Sequence, residues 1–262
     1  MSTPEPVRFR DEDRVRWIVL DRPESKNGLT VEVNAKLKAA IQEGAERRDV
    51  RALVLTGANG NFCSGLDLKA AMQSGQGPNL EKDARDYFHG LIRAIRACPK
   101  PVVGLVDGAA AGFGCDLALA CDLRIGTERT RFGEVFVKRG LMPDGGGTWF
   151  LPRLVGVGRA LELMLLGTMV NAEDALRLGL ANRVVPAAEF DAAARDFLAT
   201  LAAGPPLVQR AVKRAVNDAL TSDLDHALDA ELRTQLKLLR SRDFFEGVSA
   251  FFQKREPKFT GE

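Results

Sequence analysis

Residues 101–126 read PVVGLVDGAAAGFGCDLALACDLRIG, and this stretch decides the fold class. It begins with an apolar, β-branched run (101–108) that predicts a buried strand, passes through a turn of small residues, and continues as an apolar helix (112–122). A second strand and turn follow over residues 123–133. A strand that leads through a helix to another strand is the pattern of a parallel sheet. We therefore predict an α/β protein.

The same alternation continues toward the N-terminus and stops in the second half. The upstream elements are predicted as strands over residues 14–21 and 51–57 and helices over about 30–47 and 81–97. From about Arg159 one helix follows another, with a single short strand between them. We therefore predict a core over residues 1–195 and a C-terminal helical region over residues 196–262. Such helices cannot bury all their apolar stripes alone, so we expect part of this region to pack against neighbouring subunits.

Composition excludes whole classes of partner. The 37 Lys and Arg residues nearly balance the 35 Asp and Glu residues, which gives a net charge of +2 and no basic excess for nucleic acid. No stretch approaches about eighteen uninterrupted apolar residues, and the N-terminus is polar where a secretory signal would be apolar. We expect a cytoplasmic protein that binds neither nucleic acid nor membrane.

Metal and redox chemistry are not expected either. The four cysteines form no CxxC pair, and the chain has only two histidines. Free cysteines are ordinarily buried as reduced thiols. The sequence therefore predicts neither a metal site nor a redox motif.

Two strand-to-helix junctions contain turns of small residues. In residues 60–70 (GNFCSGLDLKA) the chain turns through residues 64–66 and a helix begins near Asp67; the stretch quoted first contains the other turn. Backbone N–H groups at a helix start have no intrahelical acceptor, so two such turns can direct two donors at one carbonyl oxygen, as an oxyanion hole requires. The alternative is an ordinary turn with Asp67 as a helix cap. A dinucleotide-binding motif is not favoured, because Leu117 replaces its third glycine.

A third turn, GLMPDGGGTWF (140–150), sets Asp144 among glycines and a proline. Asp144 has two interpretations. It is either the N-cap of a following helix or a carboxylate in apolar surroundings, where desolvation raises its pKa and makes it a useful base. The glycines permit unusual backbone angles and let a ligand approach closely.

Taken together and in this order, these turns resemble the crotonase family, the enoyl-CoA hydratase/isomerase superfamily. The resemblance extends over nearly the whole chain. The matching segments are DRPESKNGLTVEVNAKL (21–37), LVLTGANGNFCSGLDLK (53–69), PKPVVGLVDGAAAGFGCDLALACDLRIG (99–126), FGEVFVKRGLMPDGGGTWFLPRLVG (132–156) and DFFEGVSAFFQKREPKFTG (243–261).

The resemblance implies a fold, an assembly and a ligand. It implies a crotonase-like spiral of ββα units with a C-terminal α-helical oligomerisation region, and a homotrimer or a dimer of trimers. The ligand would be an acyl-CoA thioester bound in the 1–195 core, with coenzyme A as part of the substrate and no other cofactor. Its thioester oxygen would accept hydrogen bonds from the amides of Leu66 and Phe113. The residues implied in binding the substrate or its CoA moiety are Lys26, Ser64, Gly65, Asp67, Leu68, Gly112, Phe136, Lys254 and Lys258.

The chain departs from the family's hydratases at the acid–base positions. The resemblance implies that the hydratases have a glutamate at each of two positions. At these two positions this chain has Asp116 and Phe136. A phenyl ring cannot activate water, so the two-acid machinery of hydration is incomplete. Glu134 is expected to point elsewhere if its segment is extended. Asp144 instead matches the single carboxylate of isomerase branches, and its segment looks most like isomerases of the phenylacetate-degradation type.

The sequence leaves alternative functions and residue roles open. Asp116 could assist proton transfer or could equally begin its helix without chemistry. Asp116 and Asp144 could also position a water between them, which would make the protein a hydratase. An aryl-CoA dehalogenase with His89 in the acyl pocket, a CoA-ester binder without activity and a nicotinamide-dependent oxidoreductase are less favoured; His89 could equally be a packed or surface residue. Pro143 would line the acyl pocket, and the segment 70–84 is predicted to be a loop that also lines it.

Overall fold

The computed structural model describes residues 5–74 and 79–262. The β-strands that these residues form are β1 (Val7–Glu12), β2 (Val15–Leu20), β3 (Ala52–Gly57), β4 (Val102–Val106), β5 (Ala109–Ala111), β6 (Leu123–Thr127), β7 (Arg131–Gly133), β8 (Val170–Asn171) and β9 (Arg183–Val185). The α-helices are α1 (Val31–Glu46), α2 (Leu68–Ser74), α3 (Leu80–Asp83), α4 (His89–Ala97), α5 (Phe113–Ala120), α6 (Gly147–Val155), α7 (Val157–Leu166), α8 (Ala172–Arg177), α9 (Phe190–Ala203), α10 (Pro206–Ala219), α11 (Leu224–Leu238) and α12 (Arg242–Gln253).

The main sheet has six strands in the order β1-β2-β3-β4-β6-β9. Strand β1 is antiparallel to β2, and every other neighbouring pair is parallel. All five residues of β4 are buried, as expected for a strand covered on both faces. The predicted α/β class with a parallel sheet is confirmed.

A second, three-stranded sheet explains the spiral. It has the order β5-β7-β8, with β5 parallel to β7. The chain passes from β4 in the main sheet to β5 in the small sheet and then into α5, and it repeats this path through β6, β7 and α6. Each repeat is thus a ββα unit that advances by one strand in both sheets. This is the crotonase-like spiral that the resemblance implied.

Apolar clusters cover both faces of the main sheet. One face packs against α1, α4 and α5, whose buried residues include Leu37, Leu91 and Leu117. The other face packs against α9, where Ala194 and Leu198 contact the sheet. Helix α9 therefore spans the boundary predicted at residue 195 and is held to the core on both sides of it.

The C-terminal helices α10 and α11 contain no buried residue. Their apolar side chains recur every four residues and are exposed: Val208, Val212 and Val216 on α10 with Leu220 just after it, and Leu224, Leu228, Leu232 and Leu236 on α11. Such a stripe normally faces a partner surface. None of the helices in the described ranges is long and apolar enough to cross a bilayer.

The segment 70–84 is largely helical, so the prediction of a loop was wrong for its described part. Helix α2 follows Asp67, and α3 precedes a wider π-turn over Ala84–Phe88 that leads into α4. Asp67 caps α2 by accepting the Ala70 amide at 3.0 Å, which is the local reason for a helix here. Residues 75–78 of this segment lie outside the described residues.

Candidate active site

The first two turns are joined backbone to backbone. The Cys63 amide donates to the Ala109 carbonyl at 2.9 Å, and the Ala111 amide donates to the Cys63 carbonyl at 3.0 Å. The first turn thereby extends the small sheet beside β5. Gly114, in the first turn of α5, lies so close to the Cys63 backbone that a side chain there has no room. The two turns therefore have a fixed relative position.

This contact places Gly65, the residue before Leu66, beside the amide of Phe113. Gly65 has φ +90°, and a β-carbon built on it would lie 3.3 Å from the Phe113 nitrogen. Gly112 has φ +54°, a conformation that favours glycine, and it directs the chain into α5. Within residues 5–74 and 79–262, neither the Leu66 amide nor the Phe113 amide donates to a protein acceptor. Two adjacent free donors are what an oxyanion hole requires.

The residues implied in CoA binding near the first turn also lie together. The Ser64 amide donates to the Lys26 carbonyl at 3.1 Å, and the Ser64 hydroxyl donates to the Ser25 carbonyl at 2.8 Å. Lys26 is exposed, and Leu68, which follows the first turn, is 40% exposed. The Asp67 carboxylate is occupied by its helix cap and by Arg22, so it shows the capping role that was the alternative.

Arg22 is a residue of this region that the sequence reasoning missed. Its guanidinium donates to the Asp67 carboxylate at 2.9 Å and to the Gly28 carbonyl at 2.6 Å. It therefore fastens the turn that contains Lys26 to the start of α2. The hydrogen bond from the Ala70 amide lowers the pKa of Asp67 most, and the Arg22 guanidinium lowers it further. The sequence offered no signal for this, because the two residues are far apart in the chain.

Lys254 and Lys258 are not brought to these residues within one chain. They belong to the C-terminal tail after α12, and its Thr260 carbonyl accepts from Arg51, immediately before β3. The turn that contains Ser64 follows the other end of β3. The length of that strand, about 3.3 Å for each residue, separates the two locations. Their part in CoA binding stays a prediction.

The third turn presents Asp144 at the surface of the same region. Helix α6 begins after Gly146, which has φ +96° and is its N-cap, so the interpretation of Asp144 as the helix cap was wrong. The Asp144 side chain is accessible to solvent, while the protein around its carboxyl group raises its pKa by desolvation. His89 partly offsets this increase in the pKa. A raised pKa suits a general base.

His89, Phe136 and Pro143 lie around this carboxylate. The Nε2 atom of His89 contacts the Asp144 carbonyl oxygen at 3.0 Å, and because a carbonyl only accepts, Nε2 carries the proton there. The Phe136 ring lies 3.9 Å from the position of a β-carbon on Gly112, so it borders the two amides. Pro143 is half-buried next to Asp144. His89 and Pro143 thus lie next to Asp144, and Phe136 lies next to the turn that contains the Phe113 amide.

Asp116 and Glu134 are buried beneath the third turn and do not face solvent. Asp116 is fully buried, and its Oδ2 atom accepts the Gly145 amide at 3.0 Å. Glu134 is 2% exposed and lies beside Asp116. Glu134 was expected to point elsewhere if its segment were extended, but residues 135–139 form a 3₁₀ helix and Glu134 is enclosed next to Asp116.

Burial determines the protonation of these two acids. Desolvation is the main cause that raises the pKa of both Asp116 and Glu134, and the nearby carboxylate of Asp116 raises the pKa of Glu134 further. The Asp144 carboxylate also raises the pKa of both Asp116 and Glu134. The three acids of this region therefore occupy different environments, with one carboxylate facing solvent and two enclosed.

The remaining candidate ligands and nucleophiles do not cluster. All four cysteines are buried free thiols, and burial raises the pKa of Cys63 to about 12. Within residues 5–74 and 79–262, no three His, Cys, Asp or Glu side chains converge so that they could hold a metal ion.

Comparison with known proteins identifies relatives over almost the whole chain. The sequence pattern of the family described as "Enoyl-CoA hydratase/isomerase" matches residues 10–262. A relative from Rhodobacter capsulatus, named "Probable enoyl-CoA hydratase", is 43% identical over 255 residues, which are 97% of this chain and 98% of the relative. The 1,2-epoxyphenylacetyl-CoA isomerase of Escherichia coli K12 is 39% identical over 253 residues, 96% of this chain and 97% of the relative.

The structures agree with the sequences. The crystal structure of the enoyl-CoA hydratase from Bacillus anthracis superposes with a TM-score of 0.93 and is 31% identical in sequence. The match covers 98% of this chain and all of that one. The spiral of ββα units and the C-terminal helices are therefore features of proteins with this fold.

Proposed function

The chain belongs to the enoyl-CoA hydratase/isomerase family, and from this premise we propose that it is an enoyl-CoA isomerase with Asp144 as its single catalytic carboxylate. One observation favours Asp144 over the other two acids. Of the three acids in the region, only Asp144 faces solvent, while Asp116 and Glu134 are enclosed beneath it. One accessible carboxylate suffices to move a double bond, because the proton that it removes from one carbon can be returned to another.

The two free amides would stabilise the intermediate. The thioester oxygen would accept from Leu66 and Phe113, which have no protein acceptor among the described residues. When the proton leaves carbon, negative charge accumulates on this oxygen. Preorganised donors at that position stabilise the charge without reorganisation, and loss of one such donor costs about 3 to 4 kcal/mol of barrier. Coenzyme A enters as part of the substrate.

The proposed proton transfer balances without a further reactant. Asp144 removes a proton from C2 of a 3-enoyl thioester, and the electrons of that C–H bond form the dienolate. The electrons then return from the oxygen, the C2–C3 double bond forms, and Asp144 gives the same proton to C4. The carboxylate is regenerated and the substrate mass is unchanged. A raised pKa brings Asp144 closer to the basicity that such a step needs.

Hydration is the second candidate, because the relative at 43% identity is named as a hydratase. It requires a group that binds and activates water beside the double bond. Phe136 occupies one of the two positions where the resemblance placed a glutamate, and the buried Asp116 occupies the other. The name of the E. coli relative supports an isomerase that accepts a ring-bearing acyl group. The aromatic ring of Phe136, beside the turn that contains the Phe113 amide, suits such a group.

The discriminating experiment uses a panel of 2-enoyl, 3-enoyl and aryl-acetyl CoA esters, with products resolved by mass and ultraviolet absorbance. An absorbance change at constant mass supports isomerisation, whereas a gain of one water supports hydration and contradicts the proposal. Asp144→Asn should reduce kcat by roughly 100-fold or more and leave the affinity for the CoA ester largely intact. Asp196→Asn, an exposed aspartate of α9, is the matched control and should retain activity. Equal turnover by Asp144→Asn and the control would refute the role of Asp144.

We also propose that the protein is a homo-oligomer, a trimer or a dimer of trimers. The exposed apolar stripes of α10 and α11 support an association surface, because these helices bury no residue within one chain. Contiguous apolar surface of this kind is rarely left open to water. A neighbouring copy is the occupant that a homo-oligomer provides.

A further inference from the structure

We propose that Asp116 and Glu134 form a buried acid pair that shares one proton and positions Asp144 through the amide of Gly145. This inference rests on the proposed function of Asp144 and assigns its neighbours a different part. Neither member touches the substrate, because both are enclosed by protein: Asp116 is 0% and Glu134 is 2% exposed. They are positioning residues, and the accessible carboxylate above them is the catalytic one.

The first observation is a set of buried carboxyl oxygens with weak donors. Among the described residues, no well-aligned hydrogen bond reaches Oδ1 of Asp116 or either carboxyl oxygen of Glu134. The Gly147 amide and the Cys115 thiol lie near enough to lower the pKa of Asp116 and of Glu134, respectively, but neither carries a positive charge. Leaving an ionised carboxylate in such an enclosure is costly. A proton held between the two acids satisfies these oxygens at once, since one carboxyl then donates and the other accepts.

The second observation is how closely the two carboxyl groups approach each other. Both converge on Gly147: a β-carbon on this residue would lie 2.8 Å from Oε1 of Glu134 and nearer still to Oδ1 of Asp116. Two enclosed carboxylates that border the same small space repel each other, which favours a single proton held by the pair. The other titratable groups that face the pair are Cys115 and Asp144, and neither supplies a positive charge.

The proton has a preferred location within the pair. The Gly145 amide donates to Asp116 and favours its ionised form, so Asp116 gives up the proton more readily than Glu134. Among the described residues, Glu134 accepts no backbone amide, and burial together with the Asp116 carboxylate raises its pKa above that of an ordinary glutamate. The proton therefore resides mainly on Glu134 at neutral pH.

The third observation connects the pair to Asp144. The carbonyl of Asp144 and the amide of Gly145 belong to one peptide group. His89 binds its carbonyl oxygen at 3.0 Å, and Asp116 binds its N–H at 3.0 Å. This peptide is therefore held at both ends, and the side chain of Asp144 projects from a fixed backbone. Gly145, Gly146 and Gly147 follow Asp144 in the turn, and by themselves these glycines would leave the backbone free.

The first test measures the shared proton without using activity. Infrared difference spectra of wild type minus Glu134→Gln should show the C=O band of a protonated carboxylic acid at neutral pH. The spectrum of wild type minus Glu189→Gln, an exposed glutamate, is the matched control and should show an ionised carboxylate. In the wild type alone the band should disappear as the pH rises above neutral, so the test stands even if Glu134→Gln does not fold. Absence of the band overturns the proposal.

The second test separates positioning from direct acid–base chemistry at Asp116. Asparagine can still accept the Gly145 amide, but it cannot transfer a proton. Asp116→Ala should therefore lower kcat by about 10- to 100-fold with little change in KM, and Asp116→Asn should recover most of this loss. An Asp116→Asn variant as impaired as Asp116→Ala would overturn the positioning role. If wild type converts none of the CoA esters, the proposed function fails, while the infrared band still decides the acid pair.

Discussion

Replacement of Gly114 by alanine tests the contact on which the oxyanion hole depends. Gly114 lies between the two turns, and a β-carbon there would sit 2.8 Å from the Cys63 carbonyl carbon, 2.9 Å from the Cys63 β-carbon, and nearer still to the Cys63 carbonyl oxygen. Ordinary carbon–carbon contacts begin near about 3.5 Å. The turns must therefore separate by about 0.7 Å or more, and the bond from the Ala111 amide to the Cys63 carbonyl must stretch.

The size of this displacement predicts how much activity and stability the variant loses. A misplacement of about 1 Å at a catalytic centre reduces the rate by on the order of 100-fold. A shift of about 0.7 Å at the Leu66 and Phe113 amides should lower kcat/KM for the preferred CoA ester by about 10- to 100-fold. Overpacking of this kind also costs about 1 to 3 kcal/mol of folding free energy. The melting temperature should therefore fall by several degrees without loss of the fold at room temperature.

The assay compares Gly114→Ala with Gly158→Ala, which makes the same chemical change in α7 where no atom lies within 4 Å. The control should keep wild-type activity and be as stable as the wild type or slightly more so, since alanine lowers the entropy of the unfolded chain. Activity is measured per folded protein, with folding checked by circular dichroism. If Gly114→Ala matches the control in both kcat/KM and melting temperature, the two turns do not need their close contact, and the oxyanion-hole argument fails.

Other features give further expectations. Leu228→Asp should dissociate the oligomer in analytical ultracentrifugation because it places a charge in the apolar stripe of α11, whereas Lys237→Asp on the same helix should not. Because the folded-state pKa of Glu134 is raised, its protonated form stabilises the fold below the ordinary glutamate pKa, and this stability is lost as the pH rises toward the folded-state value. The melting temperature of Glu134→Gln should therefore decline less from pH 5 to alkaline pH than that of wild type. Arg22→Ala should raise KM for the CoA ester several-fold with little change in kcat, because it frees the turn that contains Lys26.

The architecture could be predicted because its signals are local. A strand such as β4 is buried at every residue, so its apolar run is visible in the sequence without knowledge of its neighbours. The turns at Gly65 and Gly112 were also visible, since positive φ angles at a strand-to-helix junction favour glycine. The approach of the two turns depends on a contact between distant residues. The two small-residue turns indicated that two amides could point at one oxygen, and the resemblance to a family identified Leu66 and Phe113 as the donors.

The structure differs from two expectations near the third turn, and in each case the local backbone conformation explains the difference. Asp144 precedes a helix in the sequence, and an acid there resembles an N-cap, but three glycines let the chain turn once more before α6 begins at Gly147. Glu134 was expected to point away because an extended segment alternates its side chains, and the 3₁₀ helix that follows changes this direction. The burial of a glutamate is hard to predict in any case, since its cost depends on which state of protonation the fold imposes.

The enclosed acids also change the explanation for the glycines around Asp144. From the sequence, these glycines indicate room for a ligand. In the structure, a β-carbon on Gly145 would lie 2.7 Å from Oδ2 of Asp116, and one on Gly147 would meet both acids. Their missing side chains therefore make room for carboxyl groups of the protein itself. It follows that Gly145→Ala should impair catalysis through the Asp144 backbone even though position 145 is buried and faces away from solvent. The turn is thus shaped from below by a proton-holding pair, and the one carboxylate left on its outer side is the one that can meet a substrate.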